Sequence, residues 1–355
     1  SPGNPSGQTC CLHLHRLAVN LFSAAKTEIM KIPKVVLVAS AFGTLGGCIV
    51  LLKDGTRGRQ YRGDEKIYGK TVIVTGANSG LGFETSKELA TRGGRIIMGC
   101  RDLQKCEVAR QQIMEASFNK NVHCKKLDLA SLKSIREFAD DIIKNENRLD
   151  ILINNAGVMC LPERQLTEDG FEMQLGVNHL GPFLLTNLLI PKLKESAPSR
   201  IINLSSVAHK RARINFKDLN AVEKYEKEYQ YHMTKLANIL FTTELAEVLK
   251  GTGVSSYALH PGISLTNIGR HLPIDNSMTG GLIVKPFLKI IYKTPNDAIQ
   301  TVLHCALDPS LETESGEYYE ECAKSMPSPA ALNENAARRL WLISERWTRL
   351  KGEES

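Results

Sequence analysis

The stretch TVIVTGANSGLG at residues 71–82 decides how the rest of the chain is read. Thr71 to Val74 is β-branched and apolar, the composition of a buried strand. The run stops at Thr75-Gly76, and Gly76, Gly80 and Gly82 follow with G-x3-G-x-G spacing. A helical pattern begins near Leu81, with Phe83, Leu89 and Ala90 on one face. A glycine turn between strand and helix lets the backbone approach a diphosphate closely. The helix beyond it offers free N–H groups and the positive end of its dipole. The stretch therefore reads as a dinucleotide site built from Gly76, Asn78, Ser79, Gly80, Leu81 and Gly82. An ordinary strand–turn–helix connection is the alternative.

Outward from this turn the pattern alternates. Strands are expected at 95–100, 122–126, 149–153, 200–204 and 254–259, with a short one at Tyr318-Tyr319. Helices are expected at 104–117, 131–145, 171–193 (with Pro182 inside) and 230–249. Alternating strands and helices imply an α/β, doubly wound parallel sheet of the Rossmann type, in a single domain over residues 70–325. Residues 326–355 form a C-terminal helix and tail. The helical part, 330–350, has an apolar face of Leu340, Trp341, Ile343 and Trp347, and reads as a helix covering the domain.

Composition narrows the function. Of the net charge of +7, +6 lies in residues 1–70. The folded part is nearly neutral, which argues against nucleic acid as a partner and for a basic tail at an anionic membrane or an import system. The nine cysteines lack C-x-x-C spacing, give no metal signature and read as buried free thiols. Residues 1–34 are an unassigned tail. Residues 35–52 run 18 positions without a charge, VVLVASAFGTLGGCIVLL, near the lower limit for a spanning helix. A membrane anchor contacting lipid is expected there; a cleaved targeting segment or a packed helix are the alternatives. Residues 53–69 read as a linker.

Four further motifs follow the glycine turn in order: NNAG at 154–157, Asn178 in VNHLG, the pair Ser205-Ser206, and Tyr231 with Lys235 in Y-x3-K. Tyr231 is the only tyrosine with a lysine four residues later. On a helix these two share a face. An ammonium beside a phenol favours the phenolate, which suits Tyr231 to general acid–base work. With the glycine turn, this set resembles the short-chain dehydrogenase/reductase family from about residue 69 to 319. The resemblance implies an oxidoreductase with Asn178, Ser206, Tyr231 and Lys235 as catalytic residues. Tyr231 would exchange the proton, and Lys235 would also hold the nicotinamide ribose. Ser206 would bond the substrate carbonyl, where negative charge builds, and Asn178 would hold a relay water. Asp128, Asn154, Ala156, Gly157, Pro261 and Thr266 would contact the cofactor, and a homodimer would form through the helix at 230–249.

An acid at the end of the second strand binds NAD in this family. Here Cys100 and Arg101 stand there, with no carboxylate to repel a 2′-phosphate and a guanidinium to bind it. The expected cofactor is NADP(H), with Asp102 one residue away from reversing the argument. The 25 steps from Ser206 to Tyr231 are about twice the usual family spacing, and the charged insert reads as a surface excursion. The stretch after Pro261-Gly262, including the apolar residues 282–292, is the family's substrate lid. CRD at 100–102, LDLASLKSIREFA at 127–139 and LHPGISLTNIGRH at 259–271 are similar to the retinol dehydrogenases. That similarity implies a lipophilic, retinoid-like substrate, with retinal reduction favoured over retinol oxidation. The alternatives are another lipophilic aldehyde, ketone or steroid, or a cofactor-binding scaffold with vestigial activity. The apolar segment resembles that of a member associated with the mitochondrial inner membrane, and the acid-poor tail points the same way; the endoplasmic reticulum is the alternative.

Overall fold

Thr71–Thr75 forms β1, buried along its whole length. A strand covered on both faces needs a continuous apolar run, which TVIVT supplies. The computed structural model describes residues 58–262 and 293–351, together with 44, 47, 51, 55 and 57. Among these, β2 (Arg95–Cys100), β3 (Val122–Lys126), β4 (Ile151–Asn154), β5 (Ser199–Leu204), β6 (Val254–His260), β7 (Glu317–Glu320) and β8 (Ala323–Lys324) join β1. The sheet order is β3-β2-β1-β4-β5-β6-β7-β8, parallel except for the antiparallel β8. The order reverses direction between β1 and β4, so a crevice opens there at the carboxyl ends of the strands.

Helices cover both faces: α1 (Gly80–Thr91), α2 (Leu103–Ser117), α3 (Leu132–Asn145), α4 (Gly181–Glu195), α5 (Lys227–Val248), α6 (Gln300–Leu307) and α7 (Glu334–Trp347). Strand alternation divides the core between them. Val72 and Val74 pack with Leu89, Ile113 and Val302 from α1, α2 and α6. Ile73 packs on the other face with Phe138, Phe183 and Phe241 from α3, α4 and α5.

Several expectations are corrected. The helix expected over 171–193 is not continuous. It is helical at Met173–Leu175, widens into a π turn at Gly176–Leu180, and restarts as α4. Pro182 has no N–H for the Asn178 carbonyl and sits in the first turn of the restarted helix, where a missing N–H costs least; Pro191 is carried inside α4. The expected linker is docked from residue 58 on: Tyr61 N–H donates to Gln300 Oε1 at 3.1 Å, and Ile67 is buried. The insert is more than a surface excursion, since His209, Ala212, Leu219 and Ala221 turn inward and Tyr225 Oη donates to the Leu161 carbonyl. Cys106 and Cys124 are not free thiols; α2 lies over β3 and the two form a disulfide, with Cα atoms 6.0 Å apart.

The C-terminal helix does cover the domain. Trp341 meets Phe183 edge-on at 5.0 Å and stacks on Phe241 at 5.8 Å. The face of α5 that α7 covers is therefore closed to a second copy. Most of residues 35–52 lie outside the described residues, among which no helix is long and apolar enough to cross a membrane.

His179 sits under α7, with its Nε2 2.9 Å from Ser344 Oγ. Burial pushes its imidazole down to about 4. The unfolded chain therefore binds more protons between pH 6.5 and pH 4, and stability falls with pH across that window, by about 3 kcal/mol for this one group. Urea unfolding at pH 7 and pH 4.5 should show this loss in the native chain and a smaller one in His179→Gln.

Candidate active site

The glycine turn is shaped by backbone conformation. Gly76 has φ +66° and Gly80 φ +57°, a region that side chains rarely adopt. A Cβ at Gly82 would lie 2.5 Å from the Gly76 carbonyl oxygen, so this glycine lets α1 pack onto the turn. Ser79 caps α1 without a side-chain hydrogen bond, and the first turn holds no acid. The opening N–H groups of α1 are thus left to whatever enters the cleft. Thr75 Oγ1 accepts from Asn155 N–H and Ala156 N–H, each at 3.0 Å. Asn155 Nδ2 donates to the Thr75 carbonyl at 2.8 Å. These bonds lace NNAG to the glycine turn.

A cleft of about 880 Å³ runs along the carboxyl ends of the strands. Gly76, Asn78, Ser79, Gly80, Leu81, Arg101, Asp128, Ala156, Gly157, Ser206, Tyr231, Lys235 and Pro261 all line it. Gly82 lies behind the turn. Asn154 does not form the cleft floor: its Nδ2 donates to Thr186 Oγ1 and Asn203 Oδ1, at 2.9 and 2.8 Å, beneath the sheet edge. Its neighbour Asn155 lines the cleft instead. Strand alternation sends consecutive asparagines opposite ways, a signal available in NNAG. Lys105 and His260 also line the cleft and were missed. Thr266 and residues 282–292 lie outside the described residues.

At one end of the cleft, Arg101 follows Cys100, whose buried thiol is pushed up to about 12. Asp102 reaches the same end, but it is committed to α2. Its carboxylate accepts from Lys105 N–H at 3.1 Å and pairs with Lys105 Nζ at 3.0 Å. Asp128 accepts from Ala130 N–H at 3.0 Å.

At the other end, α5 brings Tyr231 and Lys235 to one wall. Burial pushes the Tyr231 phenol up to about 12, and Ser206 on the same wall pulls the other way. Lys235 Nζ donates to the Leu204 carbonyl at 3.0 Å and lies 5.6 Å from the centre of the Tyr231 ring. The ammonium faces the ring and that carbonyl, so the expectation that it would lower the phenol is overridden by burial. Burial also lowers Lys235 itself to about 8. Asn178 Oδ1 accepts from Val158 N–H at 2.8 Å, while its Nδ2 donates to the Val158 carbonyl and to Thr234 Oγ1. Its side chain is a clasp between the π turn and the cleft wall, with both Nδ2 hydrogens given and one Oδ1 lone pair beyond the bond from Val158.

The short chain dehydrogenase family model matches residues 70–276. The chain is 51% identical over 314 residues to retinol dehydrogenase 13 of Mus musculus, covering 88% of this chain and 94% of that one. It is 49% identical over 283 residues to retinol dehydrogenase 12 of Bos taurus, covering 80% and 87%. A solved structure, a putative uncharacterized protein from Mycobacterium paratuberculosis, superposes with TM-score 0.64 at 33% identity, covering 82% of this chain and 98% of that one. The glycine turn, the laced NNAG loop and the wall of Ser206, Tyr231 and Lys235 all lie within the residues that the family model matches, and the chain belongs to the short-chain dehydrogenase family as an oxidoreductase of the alcohol dehydrogenase type.

Proposed function

We propose that this chain interconverts retinal and retinol with NADP(H), reduction favoured, and that Tyr231 carries the proton. The observation behind this reading is the meeting of Ser206, Tyr231 and Lys235 on one wall of the cleft that the glycine turn opens. The retinoid comes from the similarity to the retinol dehydrogenases.

The residues present fit a nicotinamide dinucleotide. The close-packed turn at Gly76 and the uncapped start of α1 suit a diphosphate. Arg101 and Lys105 suit a 2′-phosphate, and Asp102 is occupied by Lys105. Asp128 would border the adenine end. Lys235 has N–H groups beyond the one given to Leu204 for ribose hydroxyls. When bound, the nicotinamide supplies or accepts the hydride.

The protein's own part is proton handling and orientation. A Tyr231 phenol pushed up to about 12 is protonated at pH 7, which is the form that donates a proton as an aldehyde becomes an alcohol. Ser206 lines the same cleft and would bond the same oxygen as charge develops. The apolar stretches at 35–52 and 282–292 support a lipophilic carbonyl taken from a membrane, the mitochondrial inner membrane by the acid-poor tail.

Steady-state reduction of all-trans-retinal with NADPH and with NADH, beside a panel of other aldehydes, tests cofactor and substrate together. A strong NADH preference would overturn the role of Arg101. Arg101→Glu places a carboxylate where the phosphate would sit. It should shift the NADPH-to-NADH ratio of kcat/KM toward NADH by roughly 10- to 100-fold, the range of a lost charge-assisted contact plus a new repulsion.

A further inference from the structure

The 3-10 turn Val207–Arg211 begins directly after Ser206 and carries His209, a histidine that the proposed chemistry leaves unused. His209 is 0% exposed. Its Nδ1 lies 2.7 Å from the Ser206 carbonyl oxygen, and a carbonyl only accepts, so Nδ1 holds the hydrogen. Its Nε2 accepts from the Ser328 N–H at 3.0 Å. Both ring nitrogens are therefore assigned, and the ring is fixed in one neutral tautomer. The Ser206 carbonyl also accepts from His209's own N–H at 3.0 Å, so this residue closes the turn on Ser206 twice. The ring of Tyr318, edge-on at 5.1 Å, holds the imidazole plane.

Ser206 Oγ, fixed at the head of this turn, accepts from Ala208 N–H at 3.2 Å, and Ser206 lines the cleft together with Tyr231. We propose that His209 is a positioning residue for the reaction. It holds Ser206 against Tyr231 and ties that geometry to the C-terminal segment at Ser328. The inference rests on the reading of Ser206 and Tyr231 as reacting groups. The segment beyond Ser328 continues through the 3-10 turn Pro329–Leu332 into α7, which packs on α5, the helix that carries Tyr231. Chain remote in sequence thus braces both reacting groups, one through His209 and one through α5.

The two nitrogens can be tested apart in the full chain. His209→Asn keeps a donor near Nδ1, His209→Gln keeps an acceptor near Nε2, and His209→Phe keeps neither. Ser328→Pro deletes the Ser328 N–H at a φ of −64°, which proline adopts. Retinal reduction by these variants is measured with melting temperature and cofactor affinity. His209→Gln and His209→Phe should lower kcat on the order of 10-fold, the scale of a small misplacement, with cofactor affinity held within about twofold. His209→Asn should lose least, and Ser328→Pro should fall between. Equal losses in the Asn and Gln variants, or native kcat in His209→Phe, would overturn the proposal. If His209→Phe fails to fold, the Asn–Gln comparison and Ser328→Pro still decide. Tyr231→Phe and Ser206→Ala run alongside; full turnover in both would instead overturn the underlying reading of the site.

Discussion

Tyr231→Phe should cut retinal turnover on the order of 10³-fold while leaving the fold intact, as expected when a positioned proton donor is lost. The side chain is buried, and it lines the cleft together with Ser206. Phenylalanine keeps the ring, its packing and its place under Lys235, so stability should change by less than about 1 kcal/mol. Cofactor affinity should hold, because the deleted atom is the proposed proton donor and not part of the diphosphate cradle. The measurement is single-turnover reduction with NADPH, set beside cofactor titration and urea unfolding. Full turnover in Tyr231→Phe would remove Tyr231 from the chemistry. Unchanged cellular function alongside lost turnover would favour the scaffold reading.

Lys235→Met should separate activity from stability in opposite directions. Loss of the ammonium removes the proposed ribose contact and the positive charge beside Tyr231, and kcat/KM should fall roughly 100-fold or more. Stability should rise. The buried ammonium is lowered from 10.5 to about 8 by desolvation alone, so folding works against its charge. At this lysine the unfolded chain binds more protons between pH 8 and pH 10.5, so its own contribution to stability climbs with pH across that window, while raised groups such as Cys100 and Tyr231 contribute the opposite slope. The gain is about 3 kcal/mol at most. Lys235→Met should be more stable at pH 7, and its advantage over the native protein should shrink as pH rises through that window. The Leu204 carbonyl stays bonded by Asn238 Nδ2 at 3.1 Å, so the substitution strands no acceptor. A variant that loses stability at pH 7 would show that the Leu204 bond outweighs desolvation.

Local chemistry written into consecutive residues was legible before any coordinates. The strand boundaries at Arg95–Cys100 follow from an apolar run with sharp ends. Ser131 caps α3, accepting from Ser134 N–H. The Y-x3-K pair needs only helical period to converge. By contrast, Asn154 and Asn155 are the same residue type, side by side, and only the sheet decides which one faces the cleft. Asp102 beside Arg101 left the cofactor argument one residue from reversal, and the α2 cap is what occupies that acid.

The sequence by itself determined the doubly wound order of elements, the glycine turn of residues 71–82 and the pairing of Tyr231 with Lys235, because each depends on periodicity or on backbone freedom within a few residues. The tertiary structure alone decided which groups are desolvated and what they touch. Burial, which no window of sequence contains, pushes Tyr231 up and Lys235 down. Packing between distant segments sets the rest: α7 lies over α5, Cys106 meets Cys124, and Ser328 reaches His209 from 119 positions away. The turn that opened the reading holds the cofactor's diphosphate in our proposal; how the reacting wall is charged and braced is a property of the folded chain.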